Sequence, residues 1–416
     1  MTYVIIRLPA KYLLVLHMLA ALIVFMGSGT VAAGPIQDLQ PGQWYEIPNS
    51  KLRDVLPSPV PEGNPEFIIG AWSGGAYDTK RNRLVVWGGG HNNYAGNELY
   101  AFDVAQGKWL RLTEPSSSPV SVHTYDQLQY LPVQDRFFAA GGSVWPSGNA
   151  TRGTWLFDFD TNRWQRRQDI VGGLYDVTEF SMTSVYDPVS EKVLMVGYSA
   201  SADYDANANT WRHHNNSLPA RDLGHTAAFD PQRRKFVSIG RGTAYIYTAD
   251  STGKLGGRSP LGASGAREIE DADAPGLVYD PVSDQMVAWG SGSDVYTLDL
   301  DTRVWTRHAA SNSVNPGDPY SYSYRGTFGR FRYMPDFNAF IVVTGINSNV
   351  FVYKLTDGGG SAASPSINFT ASVSTVVEGT PAALTWSSAD AVSCTASGAW
   401  SGAKSTSGSE TTAALT

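Results

Sequence analysis

Six of the seven histidines lie beyond residue 33, and three of these six keep company with the other side chains that do proton chemistry. His91 follows Gly88-Gly89-Gly90 in the run GGGHNNYAGNE, with Tyr94 and Asn97 close behind. His123 and Tyr125 open a second such region, and His225 and Arg241 flank a third. Arg152, Trp145 and Arg325 stand in comparable loops. Together these types suit an acidic sugar. Arg241 or a cationic imidazole would neutralise a uronate carboxylate and so acidify the neighbouring C–H. A neutral His or Tyr would remove that proton, and a second group would protonate the leaving glycosidic oxygen. The product is a β-elimination that needs no water. On this reading His91, His123, His225, Arg241 and Tyr94 are catalytic, and Asn97, Tyr125, Arg152, Arg325 and Trp145 bind substrate. The plainer reading is that loop histidines beside glycines hold turns through backbone hydrogen bonds. His213, His214 and His308 follow tryptophans on outer strands and belong at the periphery.

Such residues must be brought together by a repeat. An aromatic with Asp or Pro at a turn, then an apolar strand, then glycine recurs at Tyr77, Tyr130, Tyr186, Phe229, Tyr279 and Tyr333. The spacing is close to fifty residues, and LVVWGGG, RFFAAGG, KVLMVG, KFVSIG, QMVAWG and AFIVVTG are the matching strands. The second half of a copy runs through ELYAFD, TWLFDFD or DVYTLDLD to Trp109, Trp164, Trp211 or Trp305. Short runs bounded by turn residues read as four strands per copy. A sheet of that size buries both faces only by packing on its neighbours.

The paired glycines that end the second strand, the aromatic after them and the outer-strand Trp resemble the kelch family. The resemblance covers residues 36–357 and implies an all-β, kelch-type β-propeller of six blades, with seven allowed if a degenerate blade hides at 245–272. The fourth copy lacks the outer Trp. The last copy stops one strand short near Leu355, and Gln43–Ile47 supplies an orphan strand to close the ring and cover its edges. Because strands alternate in direction, the loop after strand two and the start of strand one share one end of a blade. That puts the candidate residues on one rim. Ulvan lyases are propellers with His, Tyr and Arg so placed, and the likeness in residue types implies a polysaccharide lyase. The alternative is a glycan- or protein-binding propeller of adhesin type, with Trp72, Tyr94, Trp145 and Tyr322 offering stacking faces.

The remaining readings set limits. A net charge of -7 argues against nucleic acid. Residues 1–33 carry Arg7 and Lys11, an apolar run and Val31-Ala32-Ala33, the layout of a signal peptide. The mature chain is expected to be secreted or periplasmic, free of the membrane and monomeric, with an acidic polysaccharide as partner. The domains follow: the propeller over 34–357, a glycine-rich linker over 358–365, and a truncated immunoglobulin-like module over 366–416. Cys394 is the one cysteine and lies in that last module, so no Cys–Tyr copper-radical cofactor of the galactose oxidase kind is expected. Otherwise the cofactor is open. A three-histidine metal site from His91, His123 and His225 has the right ligand type but no local spacing motif. Glu98, Glu179, Asp222, Glu268 and Asp271 show no spacing that pairs them for glycoside hydrolysis.

Overall fold

A computed structural model describes residues 33–171, 182–197, 200–214, 224–319 and 326–357, and, toward the C-terminus, 366–372, 380–389, 394–396, 402–405 and 407–413. The signal-peptide expectation falls on residues outside these, except Ala33, and the linker falls outside them too. No helix among the described residues is long and apolar enough to cross a membrane. The chain divides into one unit of Thr30–Gly358 and a second to which Gly359–Thr416 belongs.

The larger unit is nearly all antiparallel β-structure. Its first sheet runs Gly74–Asp78, Arg83–Trp87, Tyr100–Asp103, Lys108–Arg111. The second runs Leu128–Leu131, Arg136–Ala140, Thr154–Asp158, Arg163–Arg166, and the third Thr183–Asp187, Lys192–Val196, Ser201–Asp205, Thr210–His214. The fourth runs Thr226–Asp230, Lys235–Gly240, Thr243–Thr248, Ser259–Pro260. The fifth runs Gly276–Asp280, Gln285–Trp289, Val295–Asp299, Val304–His308, with Ser264–Gly265 added in parallel at its outer edge. Phe331–Met334, Ala339–Val343 and Val350–Tyr353 form the sixth, and Trp44–Ile47 pairs antiparallel onto Val350–Tyr353 as its fourth strand. The orphan N-terminal strand therefore does complete the last sheet. Residues 245–272 contribute to the fourth and fifth sheets and form no sheet of their own among the described residues.

Turn chemistry explains the hairpins. At the end of the first strand Asp78, Asp187, Asp230 and Asp280 are fully buried, and each accepts backbone N–H bonds from the turn it starts. Such Asx turns give the chain a local alternative to ladder bonds. The residue before the second strand is then left-handed: Asn82, Asp135, Glu191, Arg234, Asp284 and Asn338 all have φ between 43 and 56°.

The core is not single. Apolar clusters lie between successive sheets, and one more lies between the sixth and the first, where Ile341, Val343 and Val352 meet Leu84, Val86 and Phe102. Each fully buried Val, Leu or Phe in them contributes about 1.5–3 kcal/mol. The first strands also touch in order around the same series. The outer tryptophans lock neighbours together. Trp211 donates to Thr154 Oγ1 of the second sheet and to the Gln168 carbonyl just after it, Trp305 to Glu270, and Trp109 to the Ser50 carbonyl. The fourth sheet, whose last strand is only Ser259–Pro260, is the one without such a Trp.

In the C-terminal unit Ser366–Ala371, Ala383–Ala389 and Ser407–Thr411 form one sheet, and Cys394–Ala396 pairs with Gly402–Lys404.

Candidate functional site

At the start of each described first strand of five sheets stands a left-handed residue: Trp72 (φ 47°), Tyr125 (46°), Gly224 (90°), Ala274 (48°) and Phe328 (48°). The third sheet's counterpart falls outside the described residues. Glycine adopts this region freely, but a bulky residue there stores about 1–3 kcal/mol of strain. Backbone bonds hold it. Tyr125 N–H donates to the Trp72 carbonyl at 2.6 Å, Ala274 N–H to that of Gly224 at 2.5 Å, and Phe328 N–H to that of Ala274 at 3.1 Å. The result is a collar of backbone that carries Trp72, Tyr125 and Phe328 at one end of the sheets.

The candidate residues do gather at this collar. His123 lies two residues before Tyr125, and His225 directly follows Gly224. Arg241 grips Asp273, next to Ala274, through two bonds of 2.7 Å. Their surroundings decide what each can do in the elimination chemistry. His123 is buried, with its ring 5.0 Å from Trp72, 5.5 Å from His91 and 6.0 Å from Tyr125. Burial first, and the field of His91 second, lower its pKa to about 3. It is therefore neutral at physiological pH. Its Nε2 lies 2.6 Å from Asn93 Oδ1, so that nitrogen carries the hydrogen. His91 is half-buried, with φ 42° and its backbone N–H on the Ser143 carbonyl, and Gly148 packs against its ring. Trp145 is half-buried in the same Ser143–Ala150 turn.

Three of the catalytic assignments meet a physical obstacle. Tyr94 is fully buried and donates to Glu98 Oε1 at 3.1 Å, and burial pushes its pKa far above the usual phenol range, so it is no base. His225 has both ring nitrogens engaged, by Ser238 Oγ at 3.0 Å and Thr243 Oγ1 at 2.8 Å, and stacks on Tyr245. Arg241 is paired with Asp273, a partner that a substrate carboxylate would have to displace. Among the binding assignments, Asn97 is buried and tied to Ser116 and the Pro119 carbonyl, which holds the 113–119 segment rather than a ligand. Tyr125 belongs to the collar. Arg152 is half-buried and its carbonyl accepts from Ile170. Arg325 lies outside the described residues, as do Tyr322, Glu179 and Asp222. The three-histidine metal reading loses His225, and no group of three His, Cys, Asp or Glu among the described residues could hold a metal ion.

Beneath the collar the structure adds residues that the repeat pattern hid. Asp126 is buried; its Oδ2 accepts the Ala227 N–H at 2.8 Å, and its carbonyl accepts Ser184 N–H and Oγ–H. Arg332 reaches it at 3.9 Å while donating to the Gly75 carbonyl at 3.0 Å. Desolvation raises the Asp126 pKa to about 7, against the opposing pull of Arg332. Arg330 is wholly buried and donates to the carbonyls of Ser73, Val343 and Gly326. The signal for both arginines was the run GRFRYM, charge alternating with aromatics where an inner strand begins.

No family model matches this sequence, and no curated protein does. One similar solved structure is a fungal alcohol oxidase of the AA5 family in complex with copper, at 13% identity and a TM-score of 0.44, over 79% of this chain and 84% of that one.

Proposed function

We propose that this chain is a secreted, kelch-type propeller of six blades that binds an acidic glycan at the collar end without cleaving it. The architecture has support in the six sheets, in their apolar clusters in serial order, and in the N-terminal strand that completes the sixth sheet. The C-terminal strands are in keeping with the immunoglobulin-like module. One observation carries the function: Trp72, His123, His91 and Tyr125 form a continuous aromatic and imidazole cluster whose members are held by backbone and by Asn93. Half-buried Trp72 and His91 present its accessible faces. Such faces stack on a sugar ring. Of the groups that lyase chemistry would use, Tyr94 and His225 are engaged as described and His123 is a weak base, its pKa lowered by burial and its Nε2 on Asn93, which leaves His91 as the one assigned base with no second assigned group to protonate the leaving oxygen. Arg241 supplies the cation. Its partner Asp273 is partly exposed, and an exposed pair of this kind holds with little energy, so a ligand carboxylate can replace it.

The test is affinity electrophoresis on polygalacturonate, alginate, ulvan and hyaluronan, with ultraviolet absorbance followed for unsaturated sugar ends. Retention on at least one gel and no rise in absorbance are expected. Trp72→Ala should lower affinity about tenfold. Ala274 fills the equivalent collar position, so this substitution is compatible with folding. A rise in absorbance on any polymer restores the elimination reading, and no retention on any of them defeats both.

A further inference from the structure

On the flank between the first and second sheets lies a cavity of about 230 Å³. Val122 lines it, and since successive side chains of a strand face opposite ways, this is the side away from His123. Trp87, Val120, Val122 and Val144 form apolar walls. Ser118 and Val120 at its opening are exposed.

The floor is chemically distinct. A side chain at Gly153 would meet Trp155 Nε1 at 3.0 Å, Arg166 at 3.4 Å and Thr151 Oγ1 at 3.4 Å. Because the residue is glycine, no side chain stands between these three groups, and all of them line the cavity. Trp155 has no hydrogen-bond partner for its indole N–H among the described residues. Arg166 lies over the Trp155 ring at 5.1 Å and uses its Nε and one terminal nitrogen on Asp169, so the nitrogen beside Gly153 is available. Thr151 Oγ1 accepts the Gly153 N–H at 3.1 Å, which leaves its O–H to donate. An indole N–H and a guanidinium N–H, donors only, beside a hydroxyl on one cavity floor favour an anionic oxygen. The apolar walls suit the C–H face of a ring, and the volume admits one sugar residue.

We propose that this cavity is a subsite for a single hexuronic acid residue, its carboxylate on Trp155, Arg166 and Thr151 and its ring against Val120 and Val122. The site goes beyond the collar reading and stands on separate residues. The experiment is calorimetric titration of the intact protein with sodium galacturonate, sodium glucuronate and glucose. One uronate should bind saturably at one site per chain, and glucose about tenfold more weakly, because it lacks the charge. Gly153→Ala, which sets a methyl group 3.0 Å from the Trp155 Nε1, and Trp155→Phe, which removes the N–H, should each weaken uronate binding about tenfold. Val282→Ala, an exposed residue on the turn between the first two strands of the fifth sheet, should leave it unchanged. Gly153 has no positive φ, so the alanine is conformationally allowed, and circular dichroism checks that both variants fold. The proposal fails if neither uronate saturates, if glucose binds as well, or if both cavity variants bind like the parent. Loss in Trp72→Ala alone would move the uronate to the collar and equally overturn it.

Discussion

The two ends of the sheets are built on opposite plans. Where first strands finish, the solution is polar and repeated: a buried Asp starts the turn, and an Arg ties it to the neighbouring sheet. Arg81 joins Asp78 to Asp135 of the second sheet, Arg234 reaches back to Asp187 of the third, and Arg233 gathers Asp230, Asp284 and Asp301. Where first strands begin, nothing repeats except the left-handed backbone. Its side chains vary from Trp through Ala to Gly, and of its cations Arg330 and Arg332 come from the start of the sixth sheet while Arg241 comes from the fourth. The contrast teaches that the turn end repeats a local solution whose ion pairs are screened by solvent, while the collar end rests on a few buried charges and leaves its other side chains free to vary toward a ligand site.

The sharpest way to break this comparison is Arg330→Met. Its three carbonyl partners come from two sheets and the loop before one of them, and all lie in the dry interior. Losing the guanidinium takes one donor from each of them, and breaking a buried charged network of this kind costs about 3–5 kcal/mol. Equilibrium unfolding in urea should show that loss, or no folded protein at all. A change below about 1 kcal/mol would mean that the collar end does not depend on its buried cations.

Next comes the pH dependence of Asp126. A carboxyl whose pKa rises from 3.8 to about 7 on folding holds its proton more tightly in the native state. Its ionisation therefore weakens the fold as pH rises from about 4 to 7, by up to about 4 kcal/mol at pH 7. Asp126→Asn should remove that slope. Retention of the parent's falling stability between pH 4 and 7 in this variant would assign it to another group.

His123 works in the opposite sense and more weakly at moderate pH. Its pKa falls from 6.5 to about 3 on folding, so the stability it confers is present above 6.5 and is lost as pH drops toward 3. At pH 5 the loss amounts to about 2 kcal/mol. Thermal unfolding of His123→Gln between pH 7 and 5 should be flatter than that of the parent. Equal slopes would show that the imidazole is not held neutral between Trp72 and His91.

The same contrast explains what could be read from the sequence alone. The turn end was legible because its chemistry is local: Asp78, Asp187, Asp230 and Asp280 bond to N–H groups two or three residues away, so a sequence pattern reports them directly. Strand alternation was enough to gather His91, His123, His225 and Arg241 at the other end. What alternation could not supply was their partners. Asn93 is 30 residues from His123, Ala227 is 101 from Asp126, and Ser73 is 257 from Arg330. A side chain's protonation state depends on such distant groups and on burial, and neither has a sequence period. Hence Tyr94 and His225, sensible as bases on residue type, are structural once Glu98, Ser238 and Thr243 are in place.

The smallest expected effect is the control that gives the largest its meaning. Arg233 makes more ion pairs than any arginine at the collar, and it holds the Asp284 carboxyl down to about 2. Arg233→Met should nevertheless cost only about 1 kcal/mol at neutral pH. Each carboxylate keeps another partner: Asp230 retains the N–H of Gln232 and of residue 233 itself, Asp284 retains the Tyr279 hydroxyl at 2.6 Å, and Asp301 faces solvent. Because a depressed carboxylate adds stability only above its unfolded pKa, the difference between variant and parent should shrink as pH falls from 4 toward 2. It should shrink with added salt as well. Urea titrations at pH 7 and pH 2.5, with and without molar sodium chloride, measure both. If Arg233→Met costs as much as Arg330→Met, or if salt leaves its effect unchanged, the number of ion pairs matters more than burial, and the division of labour between the two ends is wrong.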